Sequence, residues 1–130
     1  MSDAPDTVYV EIGGEAGVRA LVDAFYDRMD SDPSVAPLRA MHASNLTASR
    51  EKLFWFLSGW LGGPPLYMER KGHPRLRARH LPFAIDDDAS QQWMRCMRVA
   101  LATTTLSTAT RERLDTALAQ LAAHMRNQPG

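Results

Sequence analysis

Four histidines and one cysteine are the chain's strongest candidate ligands and nucleophiles. One of them, His80, stands in unusual company, the stretch GHPRLRARHLPFAI at residues 72–85. A neutral imidazole offers one ring nitrogen to a metal, while the other needs a partner that fixes the ring's orientation. Pro74 suits the first helical position or the one just outside it. A turn from Arg75 then puts Leu76 and His80 on one side, four residues apart, with Arg75 and Arg79 flanking and Arg77 elsewhere. Pro82 biases Leu81 away from helical geometry and closes the segment. A ligating nitrogen bordered by apolar and cationic side chains suits an iron porphyrin, whose ring must be buried and whose carboxylates need positive groups near solvent. A purely structural alternative also stands on these residues. A histidine at a helix C-terminus meets a favourable dipole, and arginines solvate a surface.

Other chemistries find less support. His73 and His80 lie seven positions apart and no Cys/His cluster completes a zinc site, so His73 reads as a polar residue of the Gly-His-Pro turn. Cys96, the single cysteine, cannot form an intrachain disulfide and is expected to be a buried thiol; this fits a reducing cytoplasm. Met94 and Met97 need no role beyond packing. The basic residues from Arg70 through His80, with Tyr67 as a stacking ring, leave a nucleic-acid-binding or interaction module as an alternative. Against it, Lys+Arg and Asp+Glu are both 15, so the net charge is zero, and no nucleic-acid motif is present. No apolar run reaches the roughly 18 residues of a membrane span, so no membrane association is expected.

The elements that must position these residues are helical. The 130 residues suit one domain. We expect a flexible leader at 1–8, a folded domain at 9–126 and a mobile tail at 127–130. Val18, Leu21, Val22, Phe25 and Met29 follow a helical period that ends at Asp-Ser-Asp-Pro, 30–33. A shorter helix is expected over 34–41. Asn45 or Thr47 would cap a helix carrying Leu53, Phe54, Leu57, Trp60 and Leu61, which Gly-Gly-Pro-Pro stops. Asp86, Asp87 and Asp88 supply capping groups before a helix with Trp93, Met97, Ala100 and Leu101 on one side. Residues 107–110 read as a break, before a final stripe of Leu114, Leu118, Leu121 and Met125. Four main helices and weak β alternation give an all-α fold.

The motifs FYDRM (25–29), WLGGPPLY (60–67), GHPRLRARHLPFAI and WMRCM (93–97), in this order and spacing, resemble those of the second group of truncated haemoglobins. The resemblance covers nearly the whole chain and implies a two-over-two helical sandwich around haem b. It implies His80 as the proximal iron ligand, Tyr26 as the distal tyrosine and Trp93 as the distal tryptophan. Ser49 and Leu53 match two distal positions one turn apart, where serine is small enough to leave an access route and leucine offers no hydrogen bond.

His42 matches a bend position where relatives often carry tyrosine or phenylalanine. It would donate inward, titrate near neutral pH or face water, and polar tuning is favoured over coordination of iron. Lys52 and Tyr67 match positions at the haem edge, Arg79 is a further propionate candidate, and Leu76 and Phe83 would line the ring. The implied activity is reversible binding of dioxygen, with carbon monoxide as a further ligand. Redox chemistry on peroxide, nitric oxide or sulfide is the alternative, and it would require an unidentified reductase.

Overall fold

The computed structural model describes residues 7–129. It holds α1 (Val8–Ile12), α2 (Gly14–Ser31), a 3-10 turn (Pro33–Val35), α3 (Ala36–Ala40), α4 (Thr47–Trp60), α5 (Leu66–Lys71), α6 (Leu76–His80), α7 (Asp87–Ala102) and α8 (Thr108–His124). No strand occurs among the described residues. The four long helices are those that the apolar stripes predict. α2 packs against α4 on one side and α7 on the other, and α7 packs against α8. Two helix pairs are thus joined through the α2–α7 contact.

Phe25 and Met29 from α2, Leu57 from α4, Met97 from α7 and Leu118 from α8 are fully buried at the centre. Burying each is worth roughly 1.5–3 kcal/mol, so these side chains hold the two pairs together. α6 buries no residue at all. A five-residue helix is also too short to persist by itself, so α6 must be held by other means.

Local chemistry sets the helix ends. Neither Asn45 nor Thr47 caps α4: Leu46 is the N-cap, without a side-chain cap bond, Thr47 is the first helical residue, and Asn45 Oδ1 accepts from Thr47 N–H at 2.8 Å in the turn before it. Asp86 Oδ1 accepts from Ala89 N–H at 2.8 Å at the start of α7. Ser107 Oγ accepts from Thr110 N–H at 3.1 Å, so residues 108–110, expected within a break, are instead the first turn of α8, and the break lies at 103–107. Gly62, at φ +97°, carries the chain out of α4 in a conformation that side chains disfavour.

Further expectations are corrected. Ordered structure starts inside the stretch expected as a 1–8 leader: Thr7 Oγ1 accepts from Val10 N–H at 3.2 Å and Val8 opens α1, while residues 1–6 lie outside the described residues. α1 is then tied down at both ends. Tyr9 N–H donates to Leu61 O at 3.0 Å, and Glu11 accepts from Ser107 N–H and the Thr110 hydroxyl, both at 3.0 Å. Pro82 does not push Leu81 out of helical geometry, since Leu81 keeps φ −57° and ψ −34°. α6 stops there because proline supplies no N–H to continue the ladder. The tail is not loose at its start: Asn127 and Gln128 N–H both donate to Ile85 O, at 2.8 and 3.1 Å.

Candidate functional site

His80 ends α6, and its Nδ1 lies 2.6 Å from Leu76 O, one helical turn back. A carbonyl only accepts, so Nδ1 carries the proton and Nε2 keeps its lone pair for an external partner. This is the orientation of an imidazole ready to bind a metal. α6 reaches it through a strained start. Arg75, its N-cap, sits at φ +45°, the one non-glycine residue at positive φ among the described residues. Arg75 N–H donates to His73 Nδ1 at 3.0 Å and Arg79 Nε to Pro74 O at 2.7 Å, which hold the turn closed. His73 is therefore a turn acceptor.

The surroundings of His80 fit an apolar ring bearing carboxylates. Leu76 is half-buried, while Leu81 and Phe83 are 57% and 43% exposed, an apolar area beside the imidazole. Tyr67 is buried, and the Arg79 guanidinium lies 5.6 Å from its ring centroid. Arg70 lies 5.2 Å from the Trp55 ring centroid, so two arginines of the basic stretch rest on the chain's own aromatics. Lys52 is exposed on α4 and makes no ion pair among the described residues.

Opposite in character is the aromatic group built by α2, α7 and the turn after α3. The Tyr26 ring is buried, edge-on to Phe25 at 4.9 Å and to His42 at 6.0 Å between centroids. Phe25 in turn lies 5.2 Å from half-buried Trp93. Neither the Tyr26 hydroxyl nor the Trp93 indole N–H has a hydrogen-bond partner among the described residues. Burial pushes the Tyr26 phenol well above its usual range, with the nearby Arg50 charge opposing, so it stays a protonated donor at neutral pH. Ser49 and Leu53 lie half-buried one turn apart on α4, which packs on the helix of Tyr26.

His42 is half-buried, and its Nδ1 donates to Leu38 O at 2.9 Å. Its neutral ring therefore presents Nε2 as an acceptor, not the inward donor that was one of the expected roles. Burial lowers its pKa below the ordinary 6.5; the Leu38 bond opposes, and the Arg39 and His80 charges add to the lowering. His42 also lines an open groove of about 540 Å³ with Met29, Asp32, Ala36 and Ala40, which gives its ring a route for proton exchange with solvent.

Two residues that sequence reasoning passed over position this group. Gln92 is buried; its Oε1 accepts from Leu38 N–H at 3.0 Å and its Nε2 donates to Asp88 at 2.8 Å. It therefore fixes the peptide segment whose carbonyl holds His42. The available signal was a polar residue on the buried Cys96–Ala100 side of α7, at the same four-residue spacing. Arg50 ties α4 to α2 through Asp23 at 3.0 Å and Asp27 at 2.8 Å, with its guanidinium 5.8 Å from the Tyr26 ring centroid. Cys96 is fully buried and its thiol pKa is pushed up to about 11, by burial first and the Asp32 charge second, so it is inert. No group of three or more His, Cys, Asp or Glu suited to a metal ion occurs among the described residues.

The same chain has well-characterised likenesses. The family model for bacterial-like globins matches residues 7–127. A group 2 truncated hemoglobin of Bacillus subtilis (strain 168) is 44% identical over 115 residues, which cover 88% of this chain and 85% of that one. The solved cold-adapted truncated hemoglobin of Pseudoalteromonas haloplanktis superposes with a TM-score of 0.92 at 47% identity, covering 95% of this chain and 99% of that one. A solved truncated oxygen-avid haemoglobin from Bacillus subtilis gives a TM-score of 0.83 at 43% identity, covering 94% of this chain and all (100%) of that one. The α2–α4 and α7–α8 pairs are the two layers of a two-on-two globin, a haem-binding fold for small gaseous ligands, and the chain belongs to the group II truncated haemoglobins.

Proposed function

We propose that this chain holds haem b through His80 and reversibly binds dioxygen on ferrous iron in the cytoplasm. The observation that carries this reading is the 2.6 Å donation from His80 Nδ1 to Leu76 O, which leaves Nε2 as the lone pair that iron requires. When bound, haem b supplies the ferrous centre at which dioxygen and carbon monoxide are held. Leu76 and Phe83 would line the ring, and Lys52, Tyr67 and Arg79 would meet its carboxylates. The Tyr26 hydroxyl and Trp93 indole N–H, unpaired among the described residues, would donate to a ligand that carries partial negative charge. Ser49 leaves room for entry and Leu53 keeps that side dry. The oxygen-avid description of the Bacillus subtilis structure supports the same choice of ligand.

The test is purification followed by ultraviolet-visible spectra of the protein as isolated, reduced, under oxygen and under carbon monoxide. The expected result is a haem spectrum with distinct reduced, oxygen and carbon monoxide forms. The His80→Ala variant is expected to lose the normal proximal coordination, and an unchanged ligand spectrum in that variant rejects the assignment.

A second reading rests on His42. A neutral ring with a free Nε2 beside a ligand pocket accepts a proton, which suits redox chemistry on peroxide more than simple storage of a gas. Nitric oxide and sulfide are the other substrates of this class; peroxide reduction, and the return of iron to the ferrous state after nitric oxide oxidation, would draw electrons from a reductase, whereas sulfide is itself the reductant. Steady-state turnover of peroxide with an added electron donor, and of nitric oxide or sulfide with dioxygen, compared between the unaltered protein and His42→Phe, separates this reading from oxygen binding alone.

A further inference from the structure

The geometry points to Asn127 as the positioning residue of the helix that carries His80. Its side-chain Nδ2 donates to Phe83 O at 2.8 Å and to His80 O at 3.2 Å, and its Oδ1 accepts from Ile85 N–H at 2.9 Å. Its backbone N–H and that of Gln128 add bonds to Ile85 O at 2.8 and 3.1 Å. Both amide hydrogens and the amide oxygen are thus committed to one six-residue stretch, 80–85. No other side chain of similar size supplies two donors and an acceptor in this layout. Asp keeps the acceptor and loses both donors, and Ala loses all three.

This clamp carries weight because little else holds the segment. α6 buries no residue, and of the residues that follow it only Ile85 is buried. Apolar packing therefore cannot set where His80 stands. The C-terminal segment, by contrast, is anchored by Met125, which is buried and whose N–H donates to Leu121 O and Ala122 O at 3.2 Å. Asn127 thus connects the buried end of α8 to the carbonyl of His80, whose carbon is bonded to the Cα that carries the imidazole. Together with the Leu76 bond to Nδ1, it holds the ring from its backbone as well as from its edge.

The consequence rests on the proposed haem reading. With haem held by His80, the position of α6 would set where the imidazole Nε2 stands and hence the bond by which it holds that group. Loosening the clamp changes that bond without touching the distal donors.

Two readouts test it, one without haem. In the apo-protein, amide hydrogen exchange at Ile85 is expected to be slow, and Asn127→Ala is expected to speed it about tenfold, the loss of one hydrogen bond of ordinary strength with its neighbours loosened. In the ferrous protein, the iron–histidine stretching band seen by resonance Raman is expected to shift or broaden in Asn127→Ala and Asn127→Asp. Arg126→Ala, which cuts the exposed pair with Asp87 and the side-chain bond to Ala123 O but none of the Asn127 contacts, is expected to leave both readouts in place. An Ile85 amide that already exchanges at the rate of a free loop in the unaltered protein overturns the proposal whether or not any variant folds. So does a band that is the same in all three variants, or one that Arg126→Ala moves as far as Asn127→Ala. If the protein takes up no haem, the functional reading fails, while the exchange result still decides the clamp.

Discussion

Tyr26 and His42 meet edge to face with their ring centroids 6.0 Å apart, and each offers the half of a hydrogen bond that the other lacks. Tyr26 brings a protonated phenol, held so by burial, and His42 brings a bare Nε2, because Leu38 O already takes the proton on Nδ1. The pocket is therefore asymmetric at neutral pH: its tyrosine and tryptophan donate and its histidine accepts. A ligand that needs donors finds them on Tyr26 and Trp93.

Replacing Tyr26 by phenylalanine tests the first donor. The hydroxyl has no protein partner among the described residues, so the variant keeps the ring packing on Phe25 and is expected to fold with little loss of stability. A charge-assisted bond is worth about 1.5–3 kcal/mol, so dioxygen release should quicken by about 10- to 150-fold. Stopped-flow displacement by carbon monoxide measures it. An unchanged release rate removes Tyr26 from the donor set.

The second prediction concerns pH. With a pKa lowered by burial, His42 stays neutral at pH 7 and gains a second N–H only as the pH falls below 6.5. Protonation turns Nε2 from acceptor to donor and adds positive charge beside the ligand. Dioxygen release is therefore expected to slow with falling pH in the unaltered protein and to lose that dependence in His42→Phe. A release rate that quickens on acidification, with His42 intact, contradicts this placement.

The same group makes a prediction for stability. A histidine whose folded pKa lies below its unfolded value binds fewer protons folded than unfolded. Its contribution is present above 6.5 and is lost as the pH falls through the lowered folded value. Urea denaturation of the apo-protein across that interval should show stability declining with acidity, and His42→Phe should flatten the decline. An equal slope in both proteins assigns the effect to other groups.

How much of this was readable beforehand follows from the range of the interactions. The stripe of Val18, Leu21, Val22, Phe25 and Met29 is local, and all five are buried as the period requires. Asp86 acts as a cap because its partner is three residues away. The placement of Tyr26, Trp93 and His80 in one chain order came from motif resemblance, which carries what periodicity does not. A local window can flag a polar residue on a buried face, as at Gln92, but it does not name a distant partner. Asn127 meets partners 42 to 47 positions away, and Gln92 meets Leu38 at 54. The proline after Leu81 misled for a related reason: its steric bias on the preceding residue is a tendency, and here the missing N–H alone ends the helix.

Gln92 offers the sharpest test of how the pocket is held. Leucine has nearly the same volume, so Gln92→Leu leaves no cavity, but Leu38 N–H then loses its acceptor in a buried place. That costs about 1–3 kcal/mol in general, enough to be read from thermal unfolding. Asp88 is exposed and recovers its hydrogen bond from water, so the loss falls on the α3 side. With Leu38 freed, its carbonyl no longer fixes the His42 proton on Nδ1, and Nε2–H becomes accessible to the neutral ring. The variant should therefore show slower dioxygen release already at pH 7 and a weaker dependence on acidification, while the iron–histidine band, governed from α6, stays where it was. Destabilisation with the pH dependence intact would show that His42 takes its orientation from somewhere other than the Gln92–Leu38 contact.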